Sequence, residues 1–209
     1  MPGARPKFDK CVFLNCPFDK EYKPLLNVAV FTLVYCGFQP RIASETSDSL
    51  QVRIEKIKSL IKGSMYSIHD LCRMEAQKAG ELARFNMPFE LGMDFGCRVY
   101  GGKGSSNKKC IIFDKKRYRY AKALSDLAGV DIEIHKENPE LLVRKLRHWI
   151  RDTLHVNVAS ASEIWRNYIL FFGDFIQTLK DLGFKKKDID EMGPNEYMDF
   201  IYDWQKRQL

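Results

Sequence analysis

Two carboxylates stand where chemistry needs them. Asp70 ends the apolar run Met65 to Leu71, and Glu90 follows a proline by two residues in Asn86-Met87-Pro88-Phe89-Glu90-Leu91-Gly92. Proline favours the first turn of a helix, so Pro88 puts Glu90 near the third helical position. An acid there is favoured by the helix N-terminus, but a capping box would ask for Ser or Thr where this register has Met87. Paired carboxylates cleave glycosidic bonds: one attacks the anomeric carbon or stabilises an oxocarbenium ion, and the other orients sugar or proton. Capping of the following loop is an equal claim on Asp70. Gly92 and Gly96, one turn apart, cost helix stability and suggest close approach of backbone or ligand.

Other chemistries find less support. His69-Asp70 has no second His-Asp set of the kind that a metal phosphohydrolase uses. Gly101-Gly102-Lys103-Gly104 lacks Walker and dinucleotide spacing and precedes a strand rather than following one. No Gly-x-Ser-x-Gly elbow occurs. The six cysteines (Cys11, Cys16, Cys36, Cys72, Cys97, Cys110) form no Cys-x-x-Cys pair and sit mostly in apolar segments. They read as reduced, buried thiols of a cytoplasmic protein. The four histidines, His69, His135, His148 and His155, do not cluster with them in the sequence, so no metal site is expected. Lys115-Lys116-Arg117 with Tyr118 and Tyr120 reads as a solvated loop before it reads as a phosphate-backbone contact.

The carboxylates must be held by strands and helices, and the hydropathy pattern supplies both in alternation. Strands are expected over Cys11–Asn15, Gln39–Ala43, Met65–Leu71, Lys109–Phe113 and Val130–Ile134. Helices are expected over Tyr22–Cys36, Leu50–Ile61, Pro88–Val99, Tyr120–Leu127 and Pro139–Leu154, with Gly37 and Gly63 ending the first two. Alternation implies parallel pairing with right-handed crossovers. The expected architecture is therefore α/β, a flavodoxin-like, doubly wound, five-stranded parallel sheet of order 2-1-3-4-5. Its ligand crevice would lie outside the carboxyl ends of the first and third strands. The candidates there are Asn15, Cys16, Pro17, Phe18 and Asp19 after the first strand, the Arg41 to Glu45 end of the second with Ser44, and His69 and Asp70 at the end of the third.

The domain so described covers residues 1–155. Residues 156–209 read as a C-terminal helical extension, with a small polar linker (Val156 to Ala161), an apolar helix over Ser162–Leu182, a basic turn at Lys185-Lys186-Lys187 and a helix over Asn195–Lys206. Its aromatic residues must pack on something: the main domain first, an oligomer or partner interface second. Composition places the 209-residue chain among globular proteins, at 45% hydrophobic and 29% charged. The net charge of +7 favours anionic partners. No apolar run suits a membrane span, and the N-terminus lacks a signal-peptide apolar region.

Ser67-Ile68-His69-Asp70-Leu71, followed by a loop and then Phe89-Glu90-Leu91-Gly92, resembles the nucleoside 2-deoxyribosyltransferase family. The layout is also similar to Toll/interleukin-1 receptor (TIR) domains. The resemblance spans roughly Cys11 to Phe113. It departs at Asn86-Met87-Pro88, where the deoxyribosyltransferases carry a Gly-Thr type turn. It implies an N-glycosidase or ribosyltransferase that cleaves NAD or a nucleotide as substrate, without metal or other cofactor, of the kind found among bacterial antiviral defence effectors. Glu90 would be the catalytic glutamate, Asp70 a sugar-binding or proton-relay carboxylate, and Asn86 a ribose contact, with Phe89 beside it. The alternative is a non-catalytic nucleotide-sensing or assembly module whose helical tail recruits a partner or a second copy. A nucleic-acid-binding protein ranks last.

Overall fold

A computed structural model describes residues 7–44, 51–76, 84–127 and 129–208. Glu45 and the expected helix start at Leu50 lie outside the described residues, as do residues 77–83 of the polar stretch before Asn86. By its internal contacts the chain divides into two compact units: Met1–Pro17 with Gln39–Asn138, and Phe18–Phe38 with Pro139–Leu209. The expected boundary after residue 155 falls inside the second of these.

The first unit holds five strands: β1 (Cys11–Asn15), β2 (Gln39–Ile42), β3 (Tyr66–Asp70), β4 (Lys109–Asp114) and β5 (Ile132–Ile134). All pairings are parallel, in the order β2-β1-β3-β4-β5. This is the expected flavodoxin-like α/β sheet, with its switch point between β1 and β3. β1 reads Cys-Val-Phe-Leu-Asn and is buried throughout, as a central parallel strand requires. The registers align the strand ends: Asn15 stands beside His69, His69 beside Ile112, and Asp70 beside Phe113.

α2 (Arg53–Lys62) and α3 (Asn86–Tyr100) belong to this unit. Ile57, Leu60 and Ile61 of α2 pack with Phe13 and Ala43, and Met93 and Cys97 of α3 join them. Met87 and Leu91 of α3 pack with Leu71, Ile112 and Tyr120. α3 opens two residues before Pro88, which therefore sits third in the helix and Glu90 fifth. The first four N–H groups of a helix have no intrahelical acceptor, so a proline at the third position removes no helical bond.

The second unit is helical: α1 (Lys23–Tyr35), α4 (Pro139–Asp152), α5 (Ala161–Asp181), α6 (Lys186–Glu191) and α7 (Pro194–Gln208). The aromatic residues of the C-terminal segment find their partners here. Phe171 of α5 stacks on Phe31 of α1 at 5.2 Å and meets Trp204 of α7 edge-on at 5.8 Å. Trp204 Nε1 donates to Asp174 at 2.9 Å, which satisfies a polar group that burial would otherwise penalise. Ser160 caps α5, accepting from Glu163 N at 3.1 Å. Among the described residues, no helix is long and apolar enough to cross a membrane.

Four expectations shift. The helix expected over Tyr120–Leu127 is two 3-10 turns, Tyr120–Lys122 and Ser125–Leu127. β5 begins at Ile132, after Gly129 turns the chain with φ +92°. The basic stretch at Lys185 opens α6, because the Asp188 carboxylate accepts from Lys185 N at 2.7 Å. Among the described residues nothing outside the helix's own backbone approaches Gly92 or Gly96: a Cβ added at either would meet no such atom within 4 Å. Each nonetheless costs the helix about 1 kcal/mol relative to Ala.

Candidate functional site

Alternation along β3 turns Ser67 and His69 to one face of the sheet and Ile68 and Asp70 to the other. α3 covers the first of these faces, and its inward side is unusual. Met87, Glu90, Leu91 and Asp94 are its buried residues, so two acids lie one turn apart on the face that should be apolar.

Asp94 is the hub. Its Oδ2 accepts from Ser67 Oγ and stands 3.1 Å from His69 Nε2. Its Oδ1 stands 3.2 Å from Nζ of Lys108, a lysine only 3% exposed. Lys108 also donates to Ile61 O at 2.9 Å and to Ser64 O, the carbonyls at the end of α2. Two of its protons thus have carbonyl acceptors, and its charge meets both the negative end of a helix and, at ion-pair distance, the Asp94 carboxylate, whose Oδ1 accepts no hydrogen bond among the described residues. Burial pushes the Asp94 carboxyl up, but the hydrogen bond from His69, with the Lys108 charge and the Ser67 hydroxyl, holds it down at about 2, so the site favours the anion.

Asn15 completes the chain of bonds. Its amide nitrogen lies 2.9 Å from His69 Nδ1 and donates to Met87 O at 2.8 Å. A carbonyl can only accept, so the Met87 carbonyl fixes which way the amide points. Nδ1 of His69 then accepts, and its proton sits on Nε2, directed at Asp94. The sequence Asn15–His69–Asp94–Lys108 is a continuous buried polar network joining β1, β3 and α3.

Glu90 lies one turn before Asp94 on the same side of α3, at the carboxyl-end side of the strands, and is 6% exposed. Among the described residues none donates a hydrogen bond to it. Burial pushes its carboxyl above the usual range, and the Arg53 charge pulls the other way. Two carboxylates on one helix face are therefore held in opposite states of comfort. Such divergence is what acid-base and nucleophilic sites display.

Asp70 is elsewhere. It is fully buried on the opposite face of the sheet, where Oδ1 accepts from Cys72 N at 2.9 Å and Oδ2 stands 3.1 Å from His135 Nε2. Phe113, its neighbour in register, lies against the His135 ring at 6.2 Å. Asp70 thus faces His135 at ion-pair distance, with His135 Nε2 making no hydrogen bond among the described residues, and lies on the side of the sheet away from the α3 face that carries Glu90. The histidines and cysteines do cluster after all: ligand atoms of Asp70, Cys72 and His135 lie within 4.8 Å of one another. The set does not suit a cation. Glu137 N donates to His135 Nδ1 at 2.9 Å, so the ring proton is on Nε2, the atom a metal would need bare. Burial, reinforced by the Asp70 charge, also pushes the Cys72 thiol far up, whereas a metal ligand must be a thiolate. Nearby, Arg119 pairs with Asp114 and donates to Leu71 O at 2.6 Å, tying the loop after β4 to the end of β3.

The remaining expected residues scatter. Cys16 and Pro17 are buried beside Asn15; Ser44 and Asn86 are exposed. Phe89 is 60% exposed on the outward side of α3. Phe18 and Asp19 belong to the second unit, where Asp19 Oδ1 accepts from Tyr22 N at 3.0 Å at the start of α1. Phe18 lines a cleft of about 640 Å³ there, with Tyr168, Phe172, Phe175 and Ile176. All six cysteines are free thiols, and Cys110 is exposed rather than buried. Ser67, Asp94, Lys108 and Arg53 were not anticipated. The spacing of Glu90 and Asp94 within Phe-Glu-Leu-Gly-Met-Asp-Phe-Gly was the available signal, since it puts both acids on the stripe of Met87 and Leu91.

No family model, no curated protein and no solved structure matches the chain.

Proposed function

We propose that the protein cleaves an N-glycosidic bond in NAD or a nucleotide, with Glu90 as the reacting carboxylate. The observation that carries this reading is the placement of Glu90: buried, without a hydrogen-bond donor among the described residues, and on the face of α3 that meets the carboxyl ends of β1 and β3. A desolvated carboxylate is a poorly stabilised anion. Its energy falls when positive charge develops at C1′ of a ribose, so its stabilisation is greater in the transition state than before it.

In this reading Glu90 attacks C1′, or stabilises the oxocarbenium ion, as the bond from C1′ to the base nitrogen breaks and the base leaves with the bonding pair. Water or an acceptor nucleophile then adds at C1′. Asn15, His69 and Asp94 are positioning residues. Their network ties α3 to β1 and β3 through the Met87 carbonyl, one turn before Glu90. Asp70 is a structural partner of His135 rather than a second catalytic carboxylate. The net charge of +7 suits an anionic substrate. A role in bacterial defence by nucleotide depletion accords with this chemistry and belongs to the same proposal.

The test is incubation of the protein with NAD and a panel of ribo- and deoxynucleotides, reading released nicotinamide or base by chromatography alongside a thermal shift. Product release supports cleavage and identifies the substrate. A thermal shift without product would replace this reading with a nucleotide-sensing module.

A further inference from the structure

α3 is built inside out. Its buried side carries Glu90 and Asp94, while Phe85, Phe89, Phe95, Val99 and Tyr100 stand 62%, 60%, 64%, 52% and 86% exposed. At 100° per residue, Phe85, Phe89, Gly92, Gly96, Val99 and Tyr100 form one stripe along the helix, with Phe95 at its edge. The stripe bears no charge, and among the described residues nothing stands over either glycine.

We infer that this stripe is an interface with a second copy of the chain, in which the two α3 helices cross antiparallel. The spacing argues for a copy rather than an unrelated partner. A two-fold axis requires that residues equidistant from its crossing point face one another. About residue 94 the centre of the stripe is symmetric in character: Gly92 answers Gly96 and the apolar Phe89 answers the apolar Val99, while Phe85 at the far end would answer Lys103. The glycines meet at the crossing, where small residues let two helices approach closely. The bulky residues then fill the space on either side. An uncharged surface gives a charged partner nothing to select, whereas it matches its own copy. The area is also sufficient. With each large aromatic side chain offering roughly 150–250 Å² when free, the five exposed residues present about 600 Å² per copy. Complete burial of these side chains on both copies would reach about 1,200 Å², the lower bound of specific interfaces, and one copy alone is at the upper end of what monomers leave exposed. This inference stands independently of the reaction proposed for Glu90.

The experiment is the solution mass of the whole chain by light scattering and sedimentation, from about 1 μM to about 1 mM. Wild type is expected to be dimeric at the upper end. Phe89→Glu and Val99→Lys should each be monomeric, and the double variant should be dimeric again, because each Glu would face a Lys across the axis. Gly92→Leu separates this from misfolding: it favours the helix and raises Tm while abolishing the dimer. A wild-type chain that is monomeric throughout would overturn the inference. So would a dimer indifferent to these substitutions, and single variants that dissociate with no recovery in the double would overturn the antiparallel pairing.

Discussion

Glu90 and Asp94 are one helical turn apart and have opposite electrostatic fates, which makes two predictions of opposite sign. The Glu90 carboxyl is raised by burial. The folded state therefore binds its proton more tightly than the unfolded state, and stability falls as pH rises from the ordinary glutamate range through the folded pKa. Glu90→Gln should accordingly raise Tm at pH 7 and leave it nearly unchanged at pH 4, measured by thermal melts at both. Asp94 is depressed to about 2, against about 3.9 unfolded. Its contribution is present above pH 4 and lost as pH falls from about 4 to about 2. Asp94→Asn should cost about 3–5 kcal/mol in denaturant melts, because it leaves the Lys108 charge buried and unpaired. Asp94→Asn with Lys108→Met should recover much of that loss. The proline motif points to Glu90 near the start of a helix, although α3 opens at Asn86 and Glu90 stands fifth rather than third. Asp94 stayed hidden because its partners, Ser67 and Lys108, come from β3 and from the residue before β4 and meet it only in the fold.

Elements were more legible than partnerships. β1 was readable to the residue because a fully buried parallel strand is a continuous apolar run with an end that polar residues mark. β5 and the two 3-10 turns were not, since three-residue elements carry too little periodicity to register. The separation of Asp70 from Glu90 is illegible in the sequence for a related reason: hydropathy shows that a strand ends there, while the pleat decides which face the last side chain takes. His69 and Asp70 are consecutive and serve opposite faces of the sheet. The network on the α3 side should be sensitive to its smallest member. Asn15→Leu removes the donors to His69 Nδ1 and Met87 O together; the Met87 carbonyl keeps its bond within α3, and the stranded His69 acceptor costs about 1–3 kcal/mol. In the other unit, Ser160→Ala deletes the α5 cap and should cost about 1 kcal/mol, with hydrogen exchange rising in the first turn of α5 alone.

At the scale of the molecule, the chain joins a parallel sheet with two helices to an aromatic helical unit, and the residues of the second are not contiguous. Phe18–Phe38 and Pro139–Leu209 form it together, a grouping that no reading along the chain reveals, because α1 carries no mark of the company it keeps. Phe171 is central to that unit, in ring contact with Phe31, Phe175, Tyr197 and Trp204. Phe171→Ala should cost about 3–5 kcal/mol, read as a lower denaturant midpoint. The central claim is that Glu90 performs the reaction, and its most direct test is to compare wild type with Glu90→Gln for release of nicotinamide or free base, with Tm recorded on the same preparations. The account predicts release by wild type and a loss of about 10³-fold or more in the variant, at equal or higher Tm. Undiminished release by Glu90→Gln, or no release from wild type at high protein concentration, would contradict it.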